Sequence, residues 1–217
     1  MTDDSRARIL NRIAAALGRD SSAASSAAAA SYAQIARDYR TANANSDRSV
    51  HDLFVERLHE YDAACTRVAT PADLPAAIAA TLAARGLATL AVASGVPAEW
   101  LPEGCDFPTA ESLSVHEFDR VPGILTGCTV AIAETGSIVL QSGPGQGLRR
   151  DTLIPDFHLC VVRESQLVVS VPQAFPRLVP DLPTTFISGP SATADIEMTR
   201  IRGVHGPRTL HVLLVAD

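Results

Sequence analysis

The large apolar residues of this chain come mostly in short, nearly uncharged runs closed by turn-forming residues, and this restricts the fold more than any other feature. Ala88–Ala93 is such a run, followed by Ser94-Gly95-Val96-Pro97. Runs of this length read as strands buried on both faces, which requires helices packed over a sheet. The helices stand between them. Val50, Leu53, Phe54, Leu58 and Tyr61 fall on one helical face. Thr70 and Pro71 open a second helix that carries Leu74, Ile78 and Leu82 and stops at Gly86. Helix, buried strand, helix, strand is the order of an α/β fold with a wound sheet. From residue 128 onward strands dominate. Cys128–Ala133 and Ile138–Leu140 flank Glu134-Thr135-Gly136-Ser137 as a hairpin or strand–turn–strand. His158–Val162 and Leu167–Val171 form a further pair around Arg163–Gln166. Thr185–Ile187 runs into Ser188-Gly189-Pro190-Ser191 and then a helix from about Thr193 to Arg200, and Leu210–Val215 closes the chain as a strand.

Residues 1–48 differ in kind from residues 49–217. Ile9, Ile13 and Leu17 recur at helical spacing before Gly18, so residues 3–17 form an amphipathic helix. Residues 20–48 are mostly small or polar and bury too little surface to offset their ordering entropy. They read as a linker or loosely held arm, with alanine favouring a transient helix near Ala27–Ala36. The α/β domain begins at residue 49.

Charge and cysteine usage exclude several functions. The net charge is −6 and all 18 basic residues are Arg. An acidic chain is a poor partner for nucleic acid. Without lysine there is neither a Schiff base nor a P-loop, and arginine is left to recognise carboxylates or phosphates through its two-pronged donors. Cys65, Cys105, Cys128 and Cys160 form no C-x-x-C pair, so no zinc or iron–sulfur ligand set is written here. Glu134, His158, Asp195 and His205 have no metal-ligand spacing, and no cofactor is expected. The acidic start Met1-Thr2-Asp3-Asp4 is unlike an export signal, and no apolar run is long enough for membrane insertion. A cytoplasmic protein with reduced thiols is expected.

Four segments could carry chemistry. Ala133–Ser137 sets Glu134 at a strand end beside Thr135 and Gly136, where the carboxylate serves as base, nucleophile or ligand anchor, or simply faces water from a turn. Ser142–Arg150 joins flexible glycines to Arg149 and Arg150, either as an anion loop or as a surface loop. Ile187–Glu197 places Ser188, Gly189 and Ser191 between a strand and a helix start that would bind an anion. The alternative is that Ser191 or Thr193 caps the helix, with Asp195 in its first turn. Gly203–Arg208 presents His205 between open glycine positions, as a proton-transfer group or a loop-holding residue. His158, after Pro155-Asp156-Phe157, reads as a core or hydrogen-bonding residue.

Three stretches together resemble the LUD domain family. They are Ala133–Ser137, Thr152–Val162, and Ile187–Glu197 followed by Gly203–Arg208. The likeness spans roughly residues 50–215. The resemblance implies a fold related to the CoA-transferase, ribose-phosphate isomerase and glucosamine-phosphate deaminase group. It also implies a part in oxidising L-lactate to pyruvate with iron–sulfur partner subunits, this chain being the subunit without a cluster. On that basis Glu134, Thr135 and Gly136 would face Ser188, Gly189, Ser191, Asp195 and His205 across one site, with Arg149 or Arg150 on a carboxylate or phosphate. Glu134, His205 and Asp195 would be the catalytic groups. Two further readings stay open: a stand-alone CoA-transferase-like or sugar-phosphate enzyme using Glu134 as nucleophile or base, and a scaffold of the lactate-oxidising complex without chemistry of its own.

Overall fold

The computed structural model describes residues 3–18, 28–38, 49–193, 201–203 and 205–217. The chain divides into two units, Met1–Tyr39 and Arg40–Asp217. In the first, α1 (Asp3–Ala16) carries Ile9, Leu10 and Ile13, which with Leu17 just beyond it are exposed, and a short helical segment covers residues 28–33.

In the second unit an amphipathic helix, an alanine-rich apolar helix and a central sheet make the core. α2 (Val50–Glu60) buries Leu53, Phe54 and Leu58. α3 (Leu74–Ala84) buries Leu74, Ile78 and Leu82 at four-residue spacing, and Thr81 donates its hydroxyl to the Ala77 carbonyl at 2.8 Å. Five strands form an all-parallel sheet in the order β1 (Ala64–Val68), β11 (Thr209–Val215), β6 (Phe157–Arg163), β3 (Gly123–Thr126), β2 (Ala91–Val92). Alternate residues of each strand point to opposite faces. Leu125, Leu159, Val161 and Leu213 meet α3 on one side. Cys160, Val162, Val212 and Leu214 meet α2 on the other.

A second, four-stranded sheet shares that second side. Its order is β7 (Leu167–Val168), β4 (Val130–Ile132), β5 (Ser137–Gln141), β8 (Thr184–Ile187). Ala131, Ala133, Ile138 and Leu140 face the parallel sheet and α2. Val130, Ile132, Val139 and Val168 face outward under Ala174 of the short helix α5 (Val171–Ala174), α4 (Val115–Phe118) being another short helix earlier in the chain. The arrangement is mixed α/β, with helices over both faces of a parallel sheet.

The structure differs from the sequence expectations in three places. The segments around Arg163–Gln166 are not paired, because β6 belongs to the parallel sheet while β7 runs parallel to β4 in the other. Thr193, expected as the first residue of a helix, lies instead in Ala192–Thr193 (β9), which pairs antiparallel with Ile201–Arg202 (β10). Residues 194–200 lie outside the described residues. The glycine loop 143–147 is not a loose one. It packs over the carboxyl ends of β2 and β3, where Gly145 N–H donates to Ser94 O (2.6 Å) and Gly127 N–H donates to Gly145 O (2.7 Å). A Cβ on Gly95 would lie 2.8 Å from the Pro144 Cβ, so glycine there permits close backbone packing. Gln146 braces the loop, its side-chain oxygen accepting from Thr129 Oγ1 and Gln141 N–H, each at 2.8 Å.

Among the described residues, no helix is long and apolar enough to cross a membrane.

Candidate functional site

A cavity of about 290 Å³ opens at the amino ends of β6 and β11. Its inner wall is His158 and Leu210, the second residues of those two strands, both 1% exposed. The segment from Thr185 to Ala192 forms one side, and His205, Gly206 and Pro207 form another. Arg149, Thr152 and Leu153 complete it. Wound sheets commonly bind ligands outside the carboxyl ends of their strands. Here the glycine loop packs over the carboxyl ends of β2 and β3, and this cavity lies at the opposite edge of the sheet.

The walls are held by hydrogen bonds that do not consume all of their polar groups. Ser191 N–H donates to Pro207 O (2.8 Å), Gly203 N–H donates to Ser191 O (2.9 Å), and His205 N–H donates to Ser191 Oγ (3.2 Å). Ser191 thus ties the 203–207 loop to the end of β8. Ser188 Oγ lies 2.6 Å from Ser137 Oγ, which lies 2.7 Å from Thr135 Oγ1, a chain of hydroxyls joining the β4–β5 turn to the cavity's side. Gly189 has φ +83°, and an added Cβ would sit 2.5 Å from the Tyr61 Cβ at the end of α2. Gly189→Ala is therefore expected to destabilise the fold by about 2 kcal/mol through left-handed strain and overpacking, read as a lowered urea midpoint.

Charge in the cavity comes from Arg149. Its side chain is exposed at the wall and makes no hydrogen bond or ion pair among the described residues. Arg150 differs. Its Nε donates to the buried carboxylate of Asp151 (3.1 Å) and its Nη2 to Ala110 O (3.1 Å), so it is committed to the turn that Asp151 also holds through Leu148 N–H (2.7 Å). His158 is the second polar feature. Its Nε2 lies 2.8 Å from Thr126 Oγ1, and Nδ1 has no hydrogen-bond partner among the described residues. Burial pushes its imidazole down to about 4, so the ring is neutral at pH 7.

Of the residues singled out in the sequence, Arg149, Ser188, Gly189, Ser191 and His205 line this cavity. Glu134, Thr135, Gly136 and Arg150 are not among its walls. Glu134 is half-buried beyond β4, with its N–H donating to Val169 O (3.0 Å). Gly136, at φ +58°, turns the hairpin against α2, where an added Cβ would lie 2.8 Å from the Arg57 Cβ. Asp195 lies outside the described residues. Sequence reasoning missed His158 and Thr152 as wall residues. The available signal was a histidine in the second position of a strand that is otherwise apolar up to its last residue, Arg163.

Among the described residues no three His, Cys, Asp or Glu side chains gather as metal ligands. A hydrogen bond with Cys160 and burial hold the Cys128 thiol well above its ordinary range, and burial pushes Cys65 up to about 11. Neither is a thiolate at neutral pH.

Comparison with known proteins gives the relationship. The LUD domain pattern matches residues 52–215. A Deinococcus radiodurans protein named Lactate utilization protein C is 46% identical over 167 residues, covering 75% of this chain and 77% of that one. A Halalkalibacterium halodurans protein of the same name is 38% identical over 101 residues, covering 43% of this chain and 44% of that one. A crystal structure of a DUF162 family protein from Deinococcus radiodurans superposes with a TM-score of 0.66 at 41% identity, covering 76% of this chain and 96% of that chain. The chain belongs to the LUD domain family.

Proposed function

We propose that this chain is a component of a lactate-utilisation system and that the cavity at the amino ends of β6 and β11 binds a carboxylate or phosphate small molecule. The observation that carries this is Arg149, a guanidinium on a cavity wall without an acidic partner among the described residues. Planar bidentate recognition of a carboxylate or phosphate is what such a group does best. The names of the relatives support the lactate context. Oxidising lactate to pyruvate removes two electrons, so an acceptor is required. In this proposal iron–sulfur partner subunits supply it, residues 49–217 are the binding domain, and the fold's kinship is with the CoA-transferase and ribose-phosphate isomerase group. His205, exposed at the rim, is the group placed to move a proton at the ligand. A thioester mechanism through Glu134 finds less support, since that carboxylate is not a cavity wall.

A thermal-shift series tests the binding. Ligand at about a hundred times its dissociation constant stabilises by about 2.7 kcal/mol, several degrees for a domain of this size. Pyruvate, L-lactate or inorganic phosphate should produce that shift. Arg149→Gln should weaken binding about 10- to 100-fold, the range for loss of a hydrogen bond to a charged group. No shift with any of the three would refute the proposal.

A further inference from the structure

The parallel sheet ends at β2 on one side and at β1 on the other, and the two edges are finished differently. The β2 edge is covered. Leu90 N–H, just before the strand, donates to Asp106 O (3.0 Å) and Val92 N–H donates to Pro108 O (2.9 Å), so residues 106–109 take its outer backbone groups. The β1 edge is bare. Ala64-Cys65-Thr66-Arg67-Val68 holds no proline or glycine, and Thr66 and Arg67 are exposed. The ladder fixes which way each residue points its backbone. Ala216 N–H donates to Val68 O (3.1 Å), so Val68 faces β11, as do Thr66 and Ala64 at alternate positions. Cys65 and Arg67 therefore turn their N–H and C=O groups outward, where no partner meets them among the described residues. An unpaired edge of this kind is a template for another strand.

We propose that β1 pairs antiparallel with β1 of a second copy of this chain, about a twofold axis at Thr66, joining the two parallel sheets edge to edge. Two outward-facing residues flanking the axis are what such a pair requires. Cys65 of each copy stands opposite Arg67 of the other, and each of these two pairs exchanges two N–H···O=C bonds, while Thr66 lies against its own mate. The neighbouring registers are poorer. Centring on Arg67 sets two guanidinium-bearing residues directly opposite each other, a destabilising pair of like charges. Centring on Cys65 matches Arg67 with Ala63, whose N–H is already donated to Leu58 O (2.9 Å). The charges also suit a second copy. The Cys65 side chain packs on the α2 face of the sheet, and the groove along α2 is lined by Asp52, Glu56, Glu60 and Arg67 among others. Arg67 of the second copy, arriving opposite Cys65, brings a guanidinium to a groove with more carboxylates than cations.

Three measurements on the full chain test this. Analytical ultracentrifugation at micromolar concentration should give a dimer, and a monomer would overturn the proposal. Thr66→Cys should cross-link between copies when treated with oxidised glutathione, because facing residues of a non-hydrogen-bonded antiparallel pair hold their Cα atoms about 4.5 Å apart, within disulfide range. The wild type, with Cys65 opposite Arg67, should stay uncross-linked. A dimer in which Thr66→Cys also stays uncross-linked has its contact elsewhere, and the proposal fails. Arg67→Pro removes an outward N–H without touching the ladder to β11, the kind of position at which an edge strand accepts proline. It should raise the dimer dissociation constant about 10- to 100-fold. An unchanged constant would sink the proposal, and the wild-type mass and the Thr66→Cys cross-link decide the matter even where the proline variant does not fold.

Discussion

Between pH 6.5 and pH 4 the fold is expected to lose about 3 kcal/mol of stability to one side chain, His158. In the unfolded chain this imidazole titrates near its ordinary value of 6.5, whereas burial in the native sheet pushes it down to about 4. Above pH 6.5 the ring is neutral in both states and contributes no pH dependence. As the pH falls through that value the unfolded chain takes up a proton that the folded chain refuses, so stability declines until the folded ring also protonates near pH 4. His211, lowered by burial and by the neighbouring Arg85, acts in the same direction. Urea unfolding at half-unit pH steps should show the decline, and His158→Gln should flatten most of it whatever its stability at pH 7. An equally steep decline in His158→Gln would assign the effect to other groups.

Phe54→Ala is expected to cost about 3–5 kcal/mol, the range for truncating a fully buried aromatic side chain. Phe54 lies on the buried face of α2, where Leu58, Ala131, Ile138, Val162 and Val212 share its cluster. The same helix backs two glycine turns, Gly136 against Arg57 and Gly189 against Tyr61. A cavity under α2 should therefore loosen the Ser188–Ser191 wall as well as the core, and ligand affinity should fall along with the urea midpoint. Phe175, which is exposed and stacks loosely on Phe186 with ring centroids 6.3 Å apart, is the contrasting control, and its replacement by alanine should stay within about 1 kcal/mol. A loss below about 1 kcal/mol for Phe54→Ala would contradict the placement of α2 in the core.

The elements readable in advance were those whose burial is periodic. α2 and α3 carry apolar residues at helical spacing and nothing else competes for those segments. The β4–β5 hairpin and β11 are apolar runs bounded by turns. β1 was not legible, because Ala64–Val68 is an edge strand paired only with β11 and most of its side chains are not buried, so it shows no apolar run. β3 is only four residues long and follows Pro122 directly. The separation of β6 from β7 into different sheets depends on pairing with distant strands, which local pattern does not report. The same holds at the cavity. Arg149, Ser188, Gly189, Ser191 and His205 stood out as open glycines, hydroxyls and charges in loops. His158 looked like a core residue, and by burial it is one. What sets it apart is the bond to Thr126 and the unmatched nitrogen, both products of strand register.

A crystal structure grown at saturating pyruvate or inorganic phosphate tests the central claim most directly. Density for the anion is expected inside the cavity at the amino ends of β6 and β11, in contact with the Arg149 guanidinium. Anion density elsewhere on the domain, with only water between Arg149, His158 and the Ser188–Ser191 segment, would contradict it.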